Sequence, residues 1–199
     1  MSETLNDRLY FRQLLSGRDF AQLDQVAAQM VNFVYLIGDR KTRECIVVDP
    51  AYAVDDILNF VEQDSMKLTG VLATHYHPDH VGGPMMGMKI QGVADLLEKT
   101  QVPIHINKHE TKWVARTTGL DEKELVQHEG GDKISVGDVA ITFVHTPGHT
   151  PGSQCFLVEQ RLVAGDTLFL DGCGRTDLPG GNPGDLYTSL QTLASLPRE

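Results

Sequence analysis

The chain has 199 residues, 41% of them hydrophobic, and a formal net charge of −10. That is enough apolar material to fold residues 1–199 as a single domain, and too much for a disordered chain. The acidic balance excludes nucleic acid as the main partner, because a phosphate backbone needs a Lys/Arg footprint. No apolar run approaches the roughly 20 residues of a membrane span, so no membrane partner is expected. The polar, acidic residues 1–7 do not read as a secretory signal. Three cysteines, Cys45, Cys155 and Cys173, without a Cys-x-x-Cys pair fit a reducing compartment, and the expected location is cytoplasmic.

Residues 31–37 and 45–48 are apolar runs separated by Gly38-Asp39-Arg40-Lys41, which predicts two paired strands and a turn. Val54, Ile57, Leu58 and Val61 recur at helical spacing after Asp49-Pro50. Residues 70–74 are continuously apolar and read as a buried strand. Gly82-Gly83-Pro84-Met85-Met86-Gly87-Met88 reads as a loop whose methionines line a pocket or, the commoner use, fill core gaps. Helices are expected over 93–99 and 109–116, with a strand at 104–106 between them. Short strands follow at 133–136, 139–144, 154–158 and 162–164. Asp185 is placed to cap a last helix with Leu186, Leu190, Leu193 and Leu196 on one stripe. Hairpins mixed with αβ units predict an α/β (α+β) fold in which helices cover sheets. Cys45 and Cys155 lie in strand-like runs and belong to the core, whereas Cys173 lies between two glycines.

The chemistry concentrates in Thr74-His75-Tyr76-His77-Pro78-Asp79-His80, directly after the 70–74 strand, where loops of α/β proteins carry function. The i, i+2 spacing of His75 and His77 puts both rings on one side of an extended segment. Pro78 turns the chain and leaves Asp79 and His80 placed for a neighbouring ion. His149 follows in a tight Pro-Gly turn and Asp166 at the end of a strand. A carboxylate can bridge two cations about 3.5–4 Å apart, which an imidazole cannot do. His105, His109, His128 and His145 stand alone in their segments and read as structural or solvated.

The stretch Thr74-His75-Tyr76-His77-Pro78-Asp79-His80-Val81-Gly82-Gly83 resembles the HxHxDH signature of the metallo-β-lactamase superfamily. His149 in Thr-Pro-Gly-His-Thr-Pro-Gly-Ser and Asp166 in Ala-Gly-Asp-Thr-Leu-Phe resemble its next two motifs, and Asp49 the residue that supports the site from behind. The resemblance implies a four-layer αββα sandwich with metals in a cleft at one edge of two sheets. It implies His75, His77 and His149 on a first metal, Asp79 and His80 on a second, and Asp166 bridging. It also implies a further His after the last helix. None follows His149 before Ser195-Leu196-Pro197-Arg198-Glu199, so the domain is expected to be C-terminally incomplete. Gly172-Cys173-Gly174-Arg175-Thr176-Asp177 resembles the branch of hydroxyacylglutathione hydrolases (glyoxalase II) and persulfide dioxygenases. Arg175 falls where those families present a cation to glutathione or a similar thiol, with Cys173 beside it. The alternative is that Arg175 braces its own loop against Asp171 or Asp177.

These expectations define a metal-dependent hydrolase holding two divalent ions, zinc in the first instance, and acting on a small-molecule thioester or thiol-derived substrate. Asp79 orients the hydroxide and accepts its proton. A thioester suits such a site because a thiolate, with a free-cysteine pKa of about 8.5, leaves without strong acid help. The alternative is an oxygenase in which His75, His149 and Asp166 hold one iron(II) for a persulfide. A non-catalytic metal domain is a third reading, although two carboxylates among the ligands look open and catalytic. The sequence is compatible with a homo-oligomer.

Overall fold

The computed structural model describes residues 8–196; the expectations for the extreme N-terminus and for Pro197, Arg198 and Glu199 lie outside them. Strands β1 (Leu9–Leu15), β2 (Phe33–Asp39), β3 (Glu44–Val48), β4 (Lys67–Leu72), β7 (Ile104–Asn107) and β8 (Leu125–His128) form one sheet in that order. A short hairpin, β5 (Gly83–Met85) and β6 (Met88–Ile90), stands apart from it. The second sheet has the order β12 (Arg161–Val163), β11 (Gln154–Val158), β10 (Val139–His145), β9 (Lys133–Val136) and is antiparallel throughout. Helices α1 (Gln25–Met30), α2 (Val54–Gln63), α3 (Pro78–Val81), α4 (Val93–Lys99), α5 (Thr111–Thr118) and α6 (Pro183–Ala194) complete the chain.

The period-two side-chain alternation of β3 explains the layering. Cys45 and Val47 join Val54, Ile57, Val61, Val93 and Leu96 in a core between the first sheet and its helices. Ile46 and Val48 point the other way and join Ile141, Phe143, Phe156 and Val163 between the two sheets. Burial on both faces leaves no polar positions to spare, which is why residues 45–48 of β3 and 70–72 of β4 read as apolar runs; β4 itself spans Lys67–Leu72 and so begins and ends earlier than the expected 70–74 strand. α6 buries Leu186 and Leu193 of the expected leucine stripe; Leu190 is half-buried, and Leu196 lies beyond the helix end at Ala194. The result is the mixed α/β sandwich that the sequence implies. Among the described residues, no helix is long and apolar enough to cross a membrane.

Several local expectations shift. β1 and β8 are not predicted from the sequence: Arg12 and Gln13 interrupt the apolar run of β1, and β8 is only four residues long with Gln127 among them; both lie at the sheet's edges. The expected 82–88 loop is the β5–β6 hairpin, turned by Met86 and Gly87 at φ 52° and 80°. β2 runs on through Asp39, whose buried carboxylate pairs with Arg8, so the turn begins two residues later, at Arg40. Asp185 sits in the first turn of α6, and Asn182 is the cap: its Oδ1 accepts from the N–H of Gly184 at 2.9 Å and of Asp185 at 3.2 Å.

Candidate metal centre

The site forms where the ends of both sheets meet. Gln154, opening β11, donates its N–H to Thr74 O at 3.0 Å and its Nε2–H to Ala73 O at 2.9 Å, tying the second sheet to the loop after β4. That loop carries His75 and His77, and Pro78 starts the single turn of α3 that presents Asp79 and His80. His149 lies in the turn between β10 and β11. Its turn is braced by α6, where Ser189 Oγ donates to Pro147 O at 2.7 Å. Gly148 at φ 136° passes so close to α6 that a Cβ would stand 2.2 Å from Leu186 N, so only glycine fits there. Asp166 sits in the 3-10 turn Gly165–Thr167 after β12.

The geometry brings together all six residues predicted as ligands. His77 Nδ1 lies 3.0 Å from His75 Nε2 and 3.0 Å from His149 Nε2. His80 Nε2 lies 3.2 Å from Asp166 Oδ1 and 3.6 Å from Asp79 Oδ2. The other oxygen of Asp166 is 3.4 Å from His149 Nε2, so this carboxylate faces both groups at once. Two ligand groups result, His75 with His77 and His149, and His75 with His80 and Asp166. His105, His109, His128 and His145 belong to neither: His105 and His128 pair at 2.9 Å, and His109 stacks on His145.

Surrounding hydrogen bonds assign the tautomers. Asp49, buried after β3 at φ 52°, accepts from Thr74 N at 2.7 Å and from Thr74 Oγ1 at 2.6 Å. The Thr74 hydroxyl has then spent its hydrogen and must accept from His75 Nδ1, 3.0 Å away, which leaves His75 Nε2 bare. His149 Nδ1–H donates to the carbonyl of Arg175 at 2.7 Å, which leaves its Nε2 bare. His80 Nδ1–H donates to Asp49 Oδ2 at 2.8 Å and turns Nε2 toward Asp79 and Asp166.

The electrostatics separate the two groups. Burial, then the neighbouring imidazoles of His80, His77 and His149, hold His75 neutral well below the usual histidine range. Burial and His149 bring His77 down to about 4. Burial also opposes charge on His80, but Asp166, Asp79 and Asp49 outweigh it and raise its pKa well above the ordinary value. Asp166 is lowered: burial works against its charge, and His80, His149 and His77 more than offset it. His75 Nε2 and His149 Nε2 are bare, and each lies 3.0 Å from His77 Nδ1, so three imidazole nitrogens lie together. The first group therefore fits a metal by its donor set, and the carboxylate-rich second group demands a positive charge.

Three further features were invisible in the sequence. Asn32 donates its side-chain N–H to Asp79 O and Asp79 Oδ2, both at 2.9 Å. Glu110, 1% exposed, accepts from Thr150 Oγ1 at 2.9 Å and from Gly152 N at 2.7 Å in the His149 turn. Arg175 reaches the site through its carbonyl. No local pattern announces these three contacts, because each joins segments distant in sequence or uses a main-chain atom. The exposed Arg175 guanidinium pairs with Asp177 at 2.7 and 2.6 Å, the loop-bracing alternative that the sequence offers. Cys173 is exposed on the same loop, and Cys45 and Cys155 are buried as expected.

A fold of two sheets whose edge gathers four histidines and two aspartates defines a metallo-hydrolase scaffold, and the family model for the metallo-beta-lactamase superfamily matches residues 29–198. The chain belongs to the metallo-beta-lactamase superfamily. It is 35% identical over 179 residues to a hydroxyacylglutathione hydrolase of Pseudomonas fluorescens, an alignment covering 89% of this chain and 62% of that protein. It is 30% identical over 167 residues to BaeB of Bacillus velezensis, a probable polyketide biosynthesis zinc-dependent hydrolase, covering 83% of this chain and 68% of that protein. Among solved structures it resembles ETHE1 from Myxococcus xanthus, with a TM-score of 0.75 and 32% identity over 96% of this chain and 72% of that one.

Proposed function

We propose that this protein is a metal-dependent thioester hydrolase. The observation that carries the reading is the convergence of His75 Nε2 and His149 Nε2 on His77 Nδ1, 3.0 Å from each, with Asp166 turned to both ligand groups. His75, His77, His149 and Asp166 would hold a first divalent ion, zinc in the first instance, and Asp79, His80 and Asp166 a second. Bound there, such ions supply Lewis acidity and lower the pKa of a coordinated water to about 7. The chain's own residues do the rest. Asp79, 7% exposed, orients the water and accepts its proton. Thr74, Asp49 and the Arg175 carbonyl hold His75, His80 and His149 in fixed orientation, so that no reorganisation is needed during the reaction. A thiolate leaving group needs little acid assistance. Cys173 and Arg175, on the exposed loop beyond Asp166, contact the thiol portion of a small-molecule substrate.

The likeness to ETHE1 favours a second reading, one iron(II) on His75, His149 and Asp166 with a persulfide as substrate. Elemental analysis of protein purified without oxygen, followed by thioester hydrolysis and persulfide-dependent oxygen consumption, separates the two. Two equivalents of zinc with thioester turnover support the first. One equivalent of iron with oxygen uptake replaces it by the second, and absence of both metal and turnover refutes both.

A further inference from the structure

The contact between Asn32 and Asp79 goes beyond ligand assignment. Asn32 opens the approach to β2, and its main chain is anchored without its side chain: Asn32 N–H donates to Ser16 Oγ at 2.9 Å, and Asn32 O accepts from Ser16 N at 2.9 Å. Ser16 is fully buried and donates its own hydroxyl to Ala27 O at 3.0 Å. The preceding residue, Val31, is held at φ 50° and ψ 42°, a left-handed conformation that β-branched residues avoid, and it closes α1 directly before Asn32. The amide is thus left free for another task.

That task is Asp79. One amide nitrogen stands 2.9 Å from both the main-chain carbonyl and Oδ2 of Asp79, and 3.3 Å from His80 Nε2. The carbonyl and the carboxylate are pure acceptors, so the NH₂ and not the amide oxygen faces them. A donor shared between a residue's own carbonyl and its carboxylate fixes the side-chain rotamer. α3 spans only Pro78–Val81 and has no side-chain cap bond at its start. A single helical turn is a weak support for a ligand, and the bond from Asn32 supplies what the turn lacks. Asp79 Oδ2 lies 3.6 Å from His80 Nε2, on the His80–Asp166 side of the site, whereas His75 and His149 are oriented by Thr74 and by the Arg175 carbonyl.

We propose that Asn32 is a positioning residue that aims the Asp79 carboxylate at the second metal position and sets the affinity of that position independently of the first. The inference rests on the metal reading above. It is tested by titrating the wild-type protein and the Asn32→Ala variant with cobalt(II), followed by visible absorbance and elemental analysis. The expected result is two steps in the wild type, with the second weakened roughly 10–100-fold in the variant, the usual cost of losing a hydrogen bond to a metal ligand, and the first unchanged. The intact first step also reports that the variant is folded at the site. Should Asn32→Ala fail to fold, Asn32→Leu keeps the volume, removes the donor and must show the same split. Unchanged second-step affinity, or equal weakening of both steps, overturns the inference. A wild type that takes one ion only overturns it as well while leaving the first position standing. A wild type that takes none overturns the metal reading itself.

Discussion

Glu110 offers a test that does not depend on metal or substrate. It ends the 3-10 turn Lys108–Glu110, is 1% exposed, and packs into the turn that carries His149. Its Oε1 takes the bonds from Thr150 and Gly152, and its Oε2 has no partner among the described residues. Burial raises its pKa from 4.5 to about 7, against the lowering effect of those hydrogen bonds. A carboxyl whose pKa is raised on folding stabilises the fold in its protonated form. That stability is complete below the unfolded value and is lost as pH climbs to the folded one. The rise from 4.5 to about 7 corresponds to about 3 kcal/mol lost across this window. Glu110→Gln has no charge to bury at any pH and keeps an acceptor for Thr150 and Gly152. Urea unfolding of both proteins at matched metal content, from about pH 4 to about pH 8, should therefore show the variant gaining on the wild type by about 3 kcal/mol as pH rises. Histidines titrate in both proteins and cancel in the difference. Parallel stability curves would mean that Glu110 ionises normally, through solvent entry or a partner, and would refute the reasoning.

The remaining expectations concern the site. His75→Ala and Asp166→Ala should each abolish metal loading and turnover together, measured by elemental analysis and activity on the same preparations; full activity in the Asp166 variant sinks the ligand assignment. Asp49→Asn removes the carboxylate that orients both His80 and, through Thr74, His75, and should weaken metal binding about 10–100-fold; metal content that survives chelator as well as wild type contradicts it. Arg175→Ala should leave metal content intact, because His149 binds the main-chain carbonyl at this position, and should raise KM for an anionic thiol-derived substrate. An unchanged KM assigns the guanidinium to its partner Asp177 alone.

What the sequence displayed and what it concealed follow from one physical distinction. The histidine run is legible because its ligands are neighbours along the chain, and metal chemistry tolerates few alternatives at that density. Residues 45–48 of β3 and 70–72 of β4 are legible because burial on both faces leaves only apolar residues there. β1 and β8 are not, because an edge strand satisfies half its backbone in water and admits Arg12 or Gln127 at no cost. The residues that orient the ligands are the least visible of all. Asn32 is 47 positions from Asp79, and Glu110 is 40 from Thr150, so neither spacing carries a periodic signal. Arg175 shows the limit most sharply. Its guanidinium pairs with Asp177, and the atom that touches His149 is its carbonyl oxygen, which any residue could supply. What the loop does require is Gly174, where a Cβ would stand 2.9 Å from His149 Nδ1 and 2.0 Å from Asp166 O. The Gly-Cys-Gly-Arg stretch is therefore constrained first by close approach to His149 and Asp166, and the guanidinium's use for substrate is a separate question that the Arg175 variant decides.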